Sequence, residues 1–286
     1  MSPPLPSLTA TWRNDTYAAI SPSRPELSAA GKTVIIAGAG SGIGRATALA
    51  FAQAGASHIA LLGRTEATLL ETQRTLSATS KSSVHVVSVT DEAALREVAS
   101  TIGTWDILVL SAGHIADPAP IADTPVDNWW QSFETNVKGT MLSSKVFIPT
   151  ANPTHAAIIT TSAAVVLPPT MLVGLSAYHC SKLAVVKLTE HLAAENKNIF
   201  VASLHPGMVE TEIFSKSGAK AEQLPMDTVQ LPAHFTVWLT SPDAAFLKGR
   251  QVWANWDVEE LKAKAAEIQA GLQLTATIDG WPFPNV

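Results

Sequence analysis

One local pattern restricts this chain more than any other. A short apolar run, Thr33-Val-Ile-Ile-Ala37, enters Gly38-Ala-Gly-Ser-Gly-Ile-Gly44 and leaves into a stretch of helix formers, Ile43 to Ala54, closed by Gly55. A strand, a glycine-rich turn and a helix in that order are what a dinucleotide-binding unit requires. Gly38 permits the tight turn, Gly42 lets the backbone approach a pyrophosphate, and Gly44 allows close helix packing. The helix N-terminus, with its unpaired N–H groups, favours the anion. Ser41 and Ile43 lie inside the same turn and join the candidate cofactor contacts. The competing reading is an ordinary glycine-rich connection between a strand and a helix.

The rest of the chain repeats the alternation. His58–Leu62, Val84–Val89, Asp106–Leu110, Ala156–Thr160, Ile199–Leu204 and Gln251–Ala254 read as further strands. Helical stretches fall at Glu66–Ser77, after Asp91 (a candidate N-cap), at Val126 to about Lys145 and at about Ser176 to Glu195. Strands alternating with helices predict an α/β fold: a Rossmann-like three-layer sandwich around a mainly parallel sheet of seven strands. The regular pattern begins near residue 31, so 31–286 is expected to be a single dinucleotide-binding catalytic domain. Residues 1–30, rich in proline, are expected to form an extension that is partly extended or packed on that domain. An irregular insertion near 208–231, with Gly218 and Pro225, falls where substrate covers sit, beyond the carboxyl ends of the strands. The charged stretch Val258–Ala270 reads as helical, and the aromatic end Ile278-Asp-Gly-Trp-Pro-Phe as a packing segment.

Composition excludes several function classes. The net charge of -5 gives no generally basic surface for nucleic acid, and no basic stripe with interleaved aromatics occurs. Cys180 is the one cysteine, which rules out an intrachain disulfide and a cysteine-based metal cluster. The first residues lack a basic segment followed by an apolar one, and no apolar run approaches the length of a membrane span. A cytoplasmic protein without membrane or nucleic-acid partners is the expectation.

The second predicted strand ends at Leu62-Gly63-Arg64-Thr65, with no acidic residue to bind ribose hydroxyls. Arg64 instead suits a 2′-phosphate, which favours NADP(H) over NAD(H), with Arg45 as a possible second cation. Ser111-Ala112-Gly113 follows the fourth strand, where small residues let the chain pass close to a cofactor. Tyr178 and Lys182 lie four apart on one predicted helix and therefore share a face. The ammonium lowers the cost of forming a phenolate and can hold the cofactor ribose, while Tyr178 exchanges a proton with an alkoxide or alcohol. Ser162 suits polarisation of the substrate oxygen, and Asn136 suits anchoring a water beside Lys182.

Together these residues resemble the short-chain dehydrogenase/reductase family over about residues 31 to 256. The resemblance rests on the glycine turn, Ser111-Ala-Gly113, Asn136-x-x-Gly139, Ser162, Tyr178-x-x-x-Lys182 and Pro206-Gly207-x-Val209-x-Thr211. It implies a Ser–Tyr–Lys–Asn site and no metal for the hydride step. Val209 and Thr211, next to Pro206 and Gly207, would approach the nicotinamide carboxamide or the adjacent phosphate, and Val89 would flank the cofactor. A homodimer or homotetramer built through the helices near Asn136 and Tyr178 is also implied. Four positions depart from the family pattern. Leu110-Ser-Ala-Gly113 stands where an asparagine-rich turn is usual, Ser88 where an aspartate is frequent, Thr161-Ser162-Ala163 carries one serine of a usual pair, and Pro168 to Gly174 lengthens the path to Tyr178. Thr161 is the alternative to Ser162. The chain looks most like fungal members from secondary-metabolite pathways.

The expected reaction is NADP(H)-dependent interconversion of a ketone and a secondary alcohol. Val165–Val173 and Ile213-Phe214 suggest an apolar pocket wall and a bulky apolar or aromatic small-molecule substrate. Imine reduction, cyclisation, isomerisation and non-catalytic dinucleotide sensing are the competing readings.

Overall fold

The computed structural model describes residues 3–5, 7–76 and 80–278. Seven strands form one sheet in the order β3-β2-β1-β4-β5-β6-β7, every neighbouring pair parallel. They are β1 (Thr33–Ala37), β2 (His58–Gly63), β3 (Lys81–Val86), β4 (Ile107–Leu110), β5 (Ala157–Thr161), β6 (Phe200–His205) and β7 (Gln251–Trp253). The strands β1 and β4 are almost wholly apolar because helices cover both faces, as an all-parallel sheet requires. Two buried clusters result. One holds Ile36, Phe51, Phe235 and Trp238, the other Leu108, Phe147, Ile158 and Leu192.

The helices on and around these faces are α1 (Gly42–Gln53), α2 (Glu66–Thr75), α3 (Glu92–Ile102), α4 (Val126–Phe133), α5 (Gly139–Phe147) and α6 (Ser176–Glu195). They continue with α7 (Glu212–Lys216), α8 (Gln230–Leu239), α9 (Val258–Ala263) and α10 (Ala265–Ala270). Asp91 caps α3, its carboxylate accepting from Ala94 N at 3.0 Å. Among the described residues no helix is long and apolar enough to cross a membrane. Val126, Trp130, Met141 and Leu183 on α4, α5 and α6 are exposed.

The sheet order reverses between β1 and β4, and the crevice above their carboxyl ends is where such a sheet takes ligands. Gly38 and Gly44 make that crevice possible. Gly38 has φ +90°, and a Cβ there would lie 2.6 Å from Ala112 N, in the turn after β4. A Cβ on Gly44 would collide with the Gly38 carbonyl, so α1 can start this close to the turn only without it.

Three expected elements are corrected. The third strand is Lys81–Val86 rather than Val84–Val89. It is an edge strand, and pairing with β2, from His58↔Lys81 to Gly63↔Val86, fixes its span in place of apolar content. Val87 and Val89 then leave the ladder and line the crevice. The helix expected over Val126–Lys145 is interrupted by a π-helical turn, Glu134–Lys138, between α4 and α5. Val258–Ala270 is two short helices, α9 and α10, joined at Lys264. Ser77, at the end of the expected second helix, and residues 279–283 of the aromatic end lie outside the described residues.

The leader is tied to this body. Ile20, Leu27 and Ala29 are buried, Trp12 bridges to Trp256, and Arg13 pairs with Asp257 at 2.7 Å.

Candidate active site

A single cavity of about 1120 Å³ opens above the carboxyl ends of the strands. It exceeds the roughly 300–1,000 Å³ of a site for one drug-sized molecule, which leaves room for two ligands. One end runs over the glycine turn. Gly38, Ser41, Gly42, Ile43 and Gly44 line it, with Arg64, Val89, Ala112 and Gly113. The backbone before α1 turns at Gly42, with φ +49°, so the first N–H groups of α1 have no helical partner and face an anion site. Thr211 lies across from Gly42: a Cβ there would sit 3.2 Å from Thr211 Cγ2. Pro206, Gly207, Val209 and Thr211 line the same cavity.

The two candidate arginines separate. Arg45 is fully engaged, with Nη2 donating to Gly40 O at 2.6 Å and to Glu71 Oε2 at 2.9 Å, and Nε to Thr72 Oγ1 at 3.1 Å. It braces the turn against α2 and is not available to a phosphate, which corrects its expected supporting role. Arg64 is exposed at the cavity rim and makes no ion pair or side-chain hydrogen bond among the described residues.

Tyr178 and Lys182 project from the first turns of α6 into the middle of the cavity. Lys182 Nζ lies 5.7 Å from the Tyr178 ring centroid and donates to Thr161 O at 2.7 Å. Burial pushes the Lys182 ammonium down to about 8 and the Tyr178 phenol up to about 12. Both shifts oppose the charged form for the same reason: few polar groups replace the lost water. Gly113 brings the β4 turn against this pair, since a Cβ there would sit 3.7 Å from Lys182 Nζ.

Ser162 follows β5 and is buried at the cavity wall. Its Oγ accepts from Gln251 Nε2 at 3.2 Å, and Gln251 also donates to Ala163 O at 2.8 Å. The hydroxyl proton therefore remains free to donate. Thr161, the alternative, also lines the cavity.

Asn136 does not line the cavity. Its side chain ties two segments together: Oδ1 accepts from His114 N at 2.7 Å, and Nδ2 donates to His114 O and Ser181 Oγ, both at 2.9 Å. Its carbonyl accepts from Thr140 Oγ1 at 2.6 Å. Both of its amide protons are spent, which leaves the second lone pair of Oδ1 for the expected water. The π-helical turn swings Asn136 inward to tie the β4 turn to α6, through Ser181, three residues after Tyr178. Gly139 serves the same packing, because a Cβ there would press on Val89 Cγ2 at 2.6 Å.

Several residues in or behind the cavity wall carried no sequence signal. Gln251, behind the wall, orients Ser162 from a strand 89 residues away. His205, Asp227, Trp253 and Trp12 line the cavity itself. No local pattern marks them, because each is brought there by pairing with distant segments.

Comparison with known proteins gives the chain's family. A family model described as short chain dehydrogenase matches residues 32–222. The chain is 34% identical over 291 residues to short chain dehydrogenase citE of Monascus ruber, covering 94% of this chain and 97% of that protein. It is 35% identical to short chain dehydrogenase pigC of the same species, covering 93% of this chain and 92% of that one. Among solved structures, a citronellol catabolism dehydrogenase of Pseudomonas aeruginosa superposes with a TM-score of 0.69 at 27% identity, covering 80% of this chain and 95% of its own.

Proposed function

Because the chain belongs to the short-chain dehydrogenase family, we propose that this oxidoreductase interconverts a ketone and a secondary alcohol with NADP(H), on a bulky apolar or aromatic substrate of secondary metabolism. One observation carries the reading. The Tyr178 phenol and the Lys182 ammonium meet the glycine turn inside one cavity large enough for a cofactor and a second molecule.

The residues present fit a dinucleotide. The turn from Gly38 to Gly44 is a cradle that side chains would fill, and α1 opens on it. In this reading the first amides of α1 hold the pyrophosphate, Arg64 holds the 2′-phosphate, Lys182 the ribose hydroxyls, and Val209 and Thr211 the carboxamide side. The bound nicotinamide supplies or accepts the hydride. The chain's own part is proton transfer and orientation. Tyr178 Oη–H gives its proton to the alkoxide oxygen in reduction and takes one from the alcohol in oxidation. With its phenol held near 12, Tyr178 is protonated at neutral pH, the form that reduction needs. Ser162 donates to the same substrate oxygen, and Gln251 fixes its direction. Asn136 holds the β4 turn and α6 at the spacing this requires.

Titration of the purified protein with NADPH and NADH, followed by cofactor absorbance against bulky ketones and quinones, tests the proposal. Preferential NADPH binding and ketone-dependent oxidation are expected. Failure to bind either nucleotide would remove the reading, and binding with turnover only on cyclic imines would replace the ketone by a C=N substrate.

A further inference from the structure

The leader, which carries no chemistry in the sequence, runs into the end of the cavity away from the glycine turn. Pro4, Leu5 and Trp12 form part of the cavity wall. The anchoring is dense and involves segments more than 200 residues away. Arg13 N donates to Asn255 O at 2.8 Å, and Asn255 Nδ2 donates to Arg13 O at 2.9 Å. Asn14 Nδ2 donates to Asp227 Oδ1 at 2.8 Å, while Thr228 N donates to Asn14 O at 2.9 Å. These bonds set Trp12 against β7. Its ring meets Trp253 edge-on, centroids 6.0 Å apart, and Trp253 meets His205 edge-on at 4.4 Å.

The wall offers rings and no free charge. Burial pushes His205 down to about 3, so its imidazole is neutral at any working pH. The Asp227 carboxylate already accepts from Met208 N at 2.6 Å, Asn14 Nδ2 at 2.8 Å and Asn255 Nδ2 at 2.9 Å. A phosphate or a carboxylate would find no cation among these residues. A flat aromatic ring would gain both apolar contact and the edge or offset geometry that ring quadrupoles favour.

We propose that the leader is a working wall of the substrate site, and that Trp12, with Leu5 and Trp253, selects a fused-ring aromatic portion of the substrate over small aliphatic ketones. The proposal rests on the reading that this cavity holds a carbonyl substrate. Trp12 is the specificity-determining residue, and Arg13 and Asn14 position it.

The test is calorimetric binding of 9,10-phenanthrenequinone, in the presence of NADP+, to the wild type, Trp12→Ala, Trp12→Phe and Leu5→Ala. It is run beside KM values for the quinone and for cyclohexanone with NADPH. Trp12→Ala should weaken quinone binding about ten-fold or more and raise its KM relative to that of cyclohexanone by a similar factor. Leu5→Ala should show a smaller loss. Trp12→Phe, which keeps a ring and guards against a folding failure of the alanine variant, should show the smallest. Equal quinone affinity in all four proteins, KM values for both ketones moving together, or no quinone binding by the wild type would each overturn the proposal. Quinone binding with the expected variant pattern but no hydride transfer would leave the wall standing and remove the reductase reading instead.

Discussion

The two ends of the cavity are built differently. At the cofactor end, Gly38, Gly42 and Gly44 lie within seven residues of one another, and Ala112, after β4, and Thr211, beyond β6, close on them. At the substrate end, Trp12, His205, Asp227 and Trp253 come from four separate segments and are joined by long-range bonds such as Asn14–Asp227 and Asn255–Asp227. A ligand of fixed chemistry can be met by a short motif that one turn holds in shape. A ligand that differs between relatives is met by an assembled surface, where each segment can change without disturbing the turn. The cofactor end therefore reads as motif and the substrate end as architecture.

That contrast can be broken at its centre first. Tyr178→Phe should lower turnover by about 10²- to 10⁴-fold while leaving NADPH affinity nearly unchanged, since it removes the transferable proton and little else. Single-turnover absorbance and a binding titration read the two effects separately, and retained turnover would end the assignment of Tyr178 as the acid. At the cofactor end alone, Arg64→Ala should weaken NADPH about ten-fold or more and leave NADH almost unaffected, a charge-assisted bond being worth about 1.5–3 kcal/mol. Equal losses for both nucleotides would unseat the 2′-phosphate assignment.

At the substrate end, Asp227→Ala should act on stability before activity. It leaves Met208 N, Asn14 and Asn255 without their acceptor, and each unpaired buried group costs about 1–3 kcal/mol. A fall in Tm of about 5–10 °C is expected, with quinone KM affected more than NADPH affinity. An unchanged Tm would show that the leader is not fastened there.

The smallest effect is a pH dependence at the junction of the two ends. Burial lowers Lys182 from its ordinary 10.5 to about 8 in the folded chain. Between those values the unfolded chain holds a proton that the folded chain has released, so Lys182 makes stability rise with pH from about 8. Tyr178 works the other way above its ordinary value of 10.0, because its folded value is raised to about 12. Denaturant unfolding between pH 8 and 10 should therefore show a rise that Lys182→Met reduces, the remainder coming from Lys32 and Lys248, which burial also lowers.

The fold was largely legible because alternation and apolar content are local properties. The limits of β1 and α6 match the apolar run Thr33–Ala37 and the helical stretch Ser176–Glu195. Where pairing overrode composition, at β3, or a π-helical turn interrupted the helix, at Glu134–Lys138, local reading misplaced the element. The candidate site divides the same way. The spacing of Tyr178 and Lys182 is a helical repeat and could be read directly. The engagement of Arg45 by Glu71 and Gly40, and of Ser162 by Gln251, could not.

By itself the sequence determined that this chain forms a parallel α/β sheet with a dinucleotide turn and a Tyr–Lys pair on one helical face. Those features depend on residues within a few positions of each other, where chain geometry fixes their distances. Only the tertiary structure decided which arginine is free, what holds Asn136, and that the leader brings Trp12 to the cavity wall. Those outcomes depend on groups as much as 250 residues apart, as Ala10 and Glu260 are, and no local spacing encodes which of many compatible partners they meet.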